Sequence, residues 1–160
     1  MISFKRIRYK NFLSTGNIPI EVELNKTATT LIVGSNGSGK STLLDALCYA
    51  LFNKPFRIIK KDQMVNTINN SDTLVEVEFE VGTNQYMIRR GIKPNLFEIY
   101  QNDKLINQDA SSIDYQKYLE QNIMKLNYRS FIQVVILGSS SYEPFMKMKP
   151  RYRREVVEEI

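Results

Sequence analysis

A glycine-rich run near the start of the chain has the spacing of a phosphate-binding loop. Residues 34–42, GSNGSGKST, fit the G-x-x-x-x-G-K-[ST] pattern of a P-loop. Glycines let the backbone turn tightly and bring its N–H groups close to phosphate oxygens, and a following helix points its positive end at the same anion. The run therefore predicts binding of a nucleoside triphosphate.

The polar residues of this loop have distinct predicted roles. Lys40 is the predicted catalytic residue, because its ammonium group would reach the β and γ phosphates as a point charge. The hydroxyl of Ser41 would take a position on Mg²⁺, so ATP and Mg²⁺ are the predicted cofactors. The predicted phosphate-binding residues are Asn36, Gly37, Ser38, Gly39, Lys40, Ser41 and Thr42.

A strand and a helix must hold the loop on either side. The apolar run Leu31-Ile32-Val33 predicts that Thr29 to Val33 form a buried strand that delivers the loop. Proline cannot continue a helix, so the helix after the loop is expected to end at residues 53–55, Asn-Lys-Pro. Its apolar residues recur at helical spacing and are Leu43, Leu44, Leu47, Ala50 and Leu51.

Composition indicates one globular domain whose chemistry is phosphate chemistry. The 160 residues are 42% hydrophobic and 24% charged, enough for a substantial core. The net charge of +5 favours a polyanionic partner. The sequence has no histidine, which excludes His metal sites, His general bases and Ser-His triads. The single cysteine, Cys48, is expected to be a buried thiol in a reducing compartment.

The sequence contains neither a signal-peptide core nor an apolar run long enough to span a bilayer. We therefore expect a soluble, cytoplasmic protein without a membrane partner.

The rest of the chain is predicted to contain antiparallel strands and short helices. Alternation and turn residues predict strands over 2–12, 18–24, 73–81, 85–90, 96–101 and 104–106, with hairpins closed at 82–84 and 102–103. Residues 56–72 are interpreted as an irregular connection. Helices are predicted from Ser111 or Ser112 through Ile123 and from Pro150 to Ile160, and Gln133 to Leu137 as a buried strand. Glu76, Glu78 and Glu80 share one strand face and are interpreted as solvated rather than as a metal site.

Half of a hydrolytic site is missing from the sequence. A P-loop hydrolase needs a carboxylate after a second buried strand, the Walker B motif, to hold Mg²⁺ and orient water. No long apolar run here is followed by an acid, and residues 137–141, LGSSS, lack the paired glycines of the ABC signature motif. ATP hydrolysis is thus expected only as part of a more complete head.

Several stretches resemble ABC-type ATPases of the SMC class, in which the loop form G-x-N-G-S-G-K-S-T is common. Residues 7–14, 75–79 and 86–89 are similar to the double-strand-break repair ATPases that partner Mre-eleven-type nucleases, a group that includes bacterial SbcC. Residues 51–57 and 134–146 most closely resemble its T-even-like phage branch, the large subunits of recombination endonucleases.

The resemblance implies an α/β P-loop NTPase of ABC-ATPase type, with a mixed sheet, antiparallel β hairpins and the N-terminal lobe only. Residues 1–149 would be this lobe, and 150–160 the start of a helix that leads to a coiled coil and is cut at Ile160. A C-terminal lobe of the same protein would bring the Walker B acid, the signature motif and the catalytic Glu.

The resemblance also implies an ATPase that forms homodimers on ATP binding and regulates a Mre-eleven/SbcD-type nuclease. Its substrate would be double-stranded DNA, in repair and recombination. The compartment would be the host cytoplasm if the protein is phage-encoded.

Two positions depart from the family pattern. The family's glutamine that contacts Mg²⁺ and water aligns with Ser139, whose hydroxyl would hold a water on the metal; Gln133 lies earlier and is expected to point from its strand. An arginine that contacts nucleotide often follows the Asn-Phe pair near the N-terminus. Leu13 stands there, so this contact is expected to be absent or supplied by Lys10 or Arg8.

The densest basic cluster lies near the end of the chain and comprises Lys147, Lys149, Arg151, Arg153 and Arg154. At the root of a coiled coil these side chains would bind DNA phosphates. The alternative is a solvated helix start. Positive charge at a helix N-terminus is mildly unfavourable, which favours a DNA partner.

Two other functions are open at this point. The chain has features of the nucleotide-binding domain of an ABC transporter, in which Tyr9 would stack on adenine. It would otherwise act as a non-catalytic, nucleotide-dependent DNA clamp, with hydrolysis absent or supplied in trans.

Overall fold

A six-stranded antiparallel sheet forms the centre of the structure. The computed structural model describes residues 1–106, 112–136 and 144–159. Strands β1 to β6 are Ile2–Lys10, Ile20–Glu23, Thr73–Val81, Asn84–Ile92, Leu96–Gln101 and Lys104–Leu105. They lie in the order β2-β1-β3-β4-β5-β6, and each neighbouring pair is antiparallel. Both predicted hairpins are confirmed.

Side-chain alternation gives the sheet one apolar face and one charged face. In β3, Val75, Val77 and Phe79 are buried in the core. The acids between them form ion pairs across neighbouring strands, which are Lys5–Glu80, Arg6–Glu78, Arg8–Glu76 and Arg89–Glu76. The acids that the sequence analysis interpreted as solvated are therefore part of an ion-pair ladder.

Helix α1, Thr42–Phe52, packs across the apolar face of the sheet. Tyr49 stacks on Phe12 with 5.5 Å between ring centroids, and its hydroxyl donates to the carbonyl oxygen of Gly91 at 3.3 Å. The helix ends where Asn53 takes the left-handed conformation, with φ of 57°. The predicted helix and its end are confirmed.

Three further helices and two short 3-10 turns complete the described structure. Helix α2, Ser112–Tyr118, continues into a π-helical segment, Leu119–Met124. The others are α3, Tyr128–Val134, α4, Pro150–Glu159, and the 3-10 turns Lys61–Met64 and Phe145–Lys147. The helices predicted from Ser112 and Pro150 are confirmed. Within the described ranges, every helix is too short or too polar to cross a bilayer.

The predicted buried strand at Gln133 to Leu137 is wrong. Helix α3 occupies its start, and Val134 and Val135 are 45% and 42% exposed; Leu137 lies outside the described residues. The side chain of Asn127 caps the helix by accepting a hydrogen bond from the Ser130 N–H at 2.9 Å. A short apolar run does not distinguish a strand from a helix by periodicity, and here the upstream cap decides.

The predicted strand at Thr29 to Val33 is also wrong. The segment has no regular secondary structure and pairs with none of the described strands. Leu31, Ile32 and Val33 are 83%, 46% and 77% exposed. A strand needs a neighbour to bond its N–H and C=O groups, and the sheet described here offers it none.

Candidate nucleotide-binding site

The P-loop turns into the N-terminal end of α1. Gly37 and Gly39 have φ of +83° and +92°, a backbone region that L side chains rarely adopt. The Thr42 N–H donates to the carbonyl oxygen of Gly39 at 3.0 Å as the helix begins. The first N–H groups of a helix lack intrahelical acceptors, so this end of α1 favours an anion.

The Lys40 side chain folds back and bonds the first residues of its own loop. Its Nζ donates to the carbonyl oxygens of Gly34 at 2.7 Å and Ser35 at 2.8 Å. These bonds hold the ammonium group against the loop backbone, where phosphate oxygens would also bond. Ser41 is exposed and makes no capping hydrogen bond, so its hydroxyl oxygen is available to a cation.

A cleft of about 540 Å³ opens beside the loop. Six of the predicted residues line it, and these are Asn36, Gly37, Gly39, Lys40, Ser41 and Thr42. Ser38 does not line the cleft. Its hydroxyl packs against Gly34, so closely that a Cβ added to Gly34 would lie only 2.5 Å from the hydroxyl oxygen. The remaining lining residues are Leu13, Ser14, Arg57, Ile59 and Gln63. The sequence analysis assigned no role in the cleft to these five.

The side chains of Asn66 and Thr73 hold the backbone of residues 11–15, two of which, Leu13 and Ser14, line the cleft. Asn66 donates from Nδ2 to the carbonyl oxygens of Leu13 at 3.2 Å and Thr15 at 3.0 Å. The Thr73 hydroxyl donates to the carbonyl oxygen of Asn11 at 2.7 Å. The connection over 56–72 has little regular structure, as predicted, yet the bonds of Asn66 let it support the backbone beside the cleft.

Neither cation proposed to replace the family arginine reaches the cleft. Lys10 pairs with Asp72, and Arg8 lies 3.7 Å from Glu76 on the charged face of the sheet. Leu13 lines the cleft, and its side chain is apolar. The structure therefore gives no support to a contact from Lys10 or Arg8, and the other expected outcome, an absent contact, stays a prediction.

Arg57 is the other cation, besides Lys40, among the described residues that line the cleft. Its backbone N–H donates to Asp45 Oδ1 at 2.9 Å, and its Nε donates to Asp45 Oδ2 at 2.7 Å. A terminal guanidinium nitrogen lies 2.5 Å from the same Oδ2. The Asp45 side chain is fully buried, whereas that of Arg57 is 45% exposed. Arg57 ends the family-like stretch 51–57, but the sequence analysis gave neither Arg57 nor Asp45 a role, and nothing in the pattern indicates that they pair.

Cys48 and Tyr9, two other residues considered in the sequence analysis, are both buried in the core. Burial, with a smaller effect of the Asp45 carboxylate, raises the pKa of Cys48 to about 12, so its thiol stays protonated near neutral pH. Tyr9 is 5% exposed and packs in the core rather than lining the cleft. The predicted stacking of Tyr9 on adenine, and with it the main feature of the transporter alternative, is wrong.

The remaining predicted site residues lie away from the cleft or outside the description. Ser139 falls in the undescribed range 137–143. In the terminal basic cluster, Lys147 lies on the second 3-10 turn, Lys149 directly precedes α4, and the three arginines lie on α4; none of these residues lines the cleft.

A comparison with known families decides the class of this site. The sequence model of the AAA domain family matches residues 6–160. The chain belongs to the AAA domain family. It is 45% identical over 162 residues to exonuclease subunit 2 of Escherichia phage RB69, a match that covers all of this chain and 29% of that protein. It is 30% identical over 163 residues to the DNA double-strand break repair Rad50 ATPase of Thermoplasma volcanium, covering 98% of this chain and 17% of the relative.

The chain thus spans less than a third of the length of these relatives. A solved structure from work on ATP-driven dimerization and DNA-stimulated activation of SMC ATPases has the same fold, with a TM-score of 0.64 over 98% of each chain at 20% identity. The predicted fold, an α/β ATPase lobe of the SMC and Rad50 type, is confirmed.

Proposed function

We propose that this chain binds ATP with Mg²⁺ and forms the N-terminal half of an ATPase head that regulates a nuclease at DNA ends. The observation that carries the proposal is the cleft, where Lys40, the left-handed Gly37 and Gly39 and the start of α1 come together. One relative is named as an exonuclease subunit and another as a double-strand break repair ATPase, which supports a nuclease partner and a role in DNA repair or recombination.

The chain's own residues would divide the binding of MgATP among them. Phosphate oxygens would accept bonds from the loop backbone over 36–42, and Lys40 would exchange its two carbonyl acceptors for the β and γ phosphates. The Ser41 hydroxyl would ligate Mg²⁺, which supplies charge neutralisation of the phosphates. Ser139 stays the proposed residue for holding a water on the metal.

A C-terminal lobe of the same protein would complete the head. The exposed apolar side chains of Leu31, Ile32 and Val33 support this step, because a strand laid beside them would bury them and bond the unpaired backbone. That lobe would also bring the Walker B acid and signature motif, so hydrolysis belongs to the assembled head. Two such heads would then form a homodimer on ATP, an expectation supported by the ATP-driven dimerization of the SMC ATPases that share this fold.

Double-stranded DNA would bind the terminal basic cluster. On β1, Lys5, Arg6 and Arg8 are all paired with glutamates. The cluster forms no ion pair within the part of the chain that the structure describes, and it comprises Lys147, Lys149, Arg151, Arg153 and Arg154. A cation that has no acidic partner can neutralise a DNA phosphate and release the counterion condensed there. This favours the terminal basic cluster over the paired cations of the sheet.

Lys40→Ala tests the proposal. Binding of a fluorescent ATP analogue should weaken at least about tenfold, because charge-assisted bonds to phosphate are removed. Lys104→Ala, at the far edge of the sheet, is the matched control and should bind normally. Full ATP affinity of Lys40→Ala, or DNA-stimulated turnover of that variant in the complete protein, would contradict the proposal.

A further inference from the structure

The carboxylate of Asp45 uses both of its oxygens on one partner. It lies in the first turn of α1, one turn after Ser41, and the Asp45 N–H donates to the Ser41 carbonyl oxygen at 3.2 Å. Both carboxylate oxygens accept from Arg57, through the backbone N–H, Nε and a terminal nitrogen. A fully buried carboxylate is costly unless it is paired and bonded in this way. The pair therefore fixes Arg57 relative to the P-loop helix.

The Arg57 side chain that Asp45 holds also lines the cleft. Arginine has five N–H donors in a rigid fork, and Asp45 engages one edge of it. The remaining terminal nitrogen bonds no described residue, and the side chain is 45% exposed where it lines the cleft with Lys40 and Ser41. Leu13, which lines the same cleft, is apolar, so Lys40 and Arg57 supply the positive charge among the described lining residues. Arg57 thus offers a second, oriented positive charge.

We propose that Asp45 is a positioning residue that holds the Arg57 guanidinium towards the phosphates of a bound nucleoside triphosphate. This inference rests on the proposed function, since it names a further contact in the same cleft. Asp45 itself is fully buried and does not line the cleft, so it would act only through Arg57. Its role is to orient a side chain that would otherwise sample many rotamers, so the bond to phosphate forms with little loss of entropy.

A double-mutant cycle tests this role by titration with a fluorescent ATP analogue in the full chain. Arg57→Ala should weaken ATP binding about tenfold, the effect of removing one charge-assisted hydrogen bond. Asp45→Asn is nearly isosteric, yet its amide nitrogen opposes the guanidinium, so it should weaken binding almost as much. In the Arg57→Ala background, Asp45→Asn should cause no further loss, because it acts through Arg57. An equal loss in both backgrounds would mean a role in the fold only and would overturn the proposal.

A second variant keeps the test decisive if Asp45→Asn does not fold, as thermal unfolding would reveal. Arg57→Lys keeps the charge but cannot bond Asp45 with two nitrogens, so it should regain only part of the affinity. Wild-type affinity of Arg57→Lys, or of Arg57→Ala, would overturn the proposal. Arg8→Ala, which removes an arginine from the charged face of the sheet, controls for net charge.

The failure of the proposed function looks different. If Lys40→Ala binds ATP as well as wild type, the cleft is not the nucleotide site and both inferences fall. If Lys40→Ala loses ATP while Arg57→Ala keeps it, the site stands and the positioning role alone is wrong.

Discussion

Leu31→Ser probes the junction at which a second lobe would join this chain. The Leu31 side chain is 83% exposed, so the described structure gains little from its apolar surface. Full burial of a leucine side chain is worth about 1.5–3 kcal/mol. Most of that energy is therefore still available for association.

The expected magnitudes follow from this exposure. The free energy of unfolding of the isolated chain should change by no more than about 0.5 kcal/mol, as for other surface substitutions. Association with a separately expressed C-terminal lobe should weaken by about 2 kcal/mol, close to thirtyfold in Kd. Urea unfolding measures the first quantity and isothermal titration calorimetry the second.

Ile68→Ser is the matched control, because Ile68 is 89% exposed and lies on the connection between α1 and β3. It should leave both quantities unchanged. A decrease of about 2 kcal/mol in the stability of isolated Leu31→Ser would mean that Leu31 packs within its own chain. Unchanged association would mean that the second lobe joins elsewhere, and either result would refute the reasoning.

Three further predictions concern the core and the DNA surface. Phe131→Ala should destabilise the chain by about 3–5 kcal/mol in urea unfolding, because Phe131 is fully buried against Phe4 and Phe52. Val134→Ala, at a half-exposed position of the same helix, should cost under about 1 kcal/mol. Equal costs would mean that Val134 is buried, as the predicted strand requires. The raised pKa of Cys48, about 12 against 9.0, means that the unfolded thiol ionises first, so stability present below pH 9 is lost as pH rises towards 12. At pH 10 this loss is on the order of 1 kcal/mol, so the drop in stability between pH 7.5 and 10 should be smaller in Cys48→Ala by about that amount. An identical drop would exclude Cys48 as its source. Replacing Lys147, Lys149 and Arg151 by Ala should make the negative slope of log K against log salt for duplex DNA shallower, by about 0.9 for each phosphate that is no longer neutralised. Replacing the paired Lys5, Arg6 and Arg8 should leave this slope nearly unchanged. The reverse order of effects would mean that DNA binds the sheet.

Local sequence patterns were enough to predict most of the strands and helices. The hairpin of β3 and β4 was predictable because Val75, Val77 and Phe79 alternate with acids and a Gly82 turn follows. Helix α3 was missed because its apolar run fits two structures equally, and the deciding residue, Asn127, lies upstream of the run.

The site divides in the same way between local and distant signals. The P-loop residues were predictable because a continuous motif places Lys40 and Ser41 at the start of a helix. Arg57 was not, because its position depends on a side-chain pair with Asp45 that forms only when the connection after α1 folds back onto the helix. Proximity created by a loop leaves no periodic trace in the sequence.

The segment before the P-loop explains how binding and hydrolysis can be separated in such a lobe. The turn of the loop is set by Gly37 and Gly39, by the start of α1 and by the bonds from Lys40 to the carbonyl oxygens at 34–35, all within residues 34–42. None of these interactions needs the predicted strand at 29–33 to be paired. The geometry of the proposed phosphate-binding loop therefore depends on local sequence alone, whereas we propose that a Walker B acid comes from a strand laid against the segment 29–33. We therefore expect this chain alone to bind ATP, and ATP turnover to begin only when a strand of the C-terminal lobe pairs with residues 29–33.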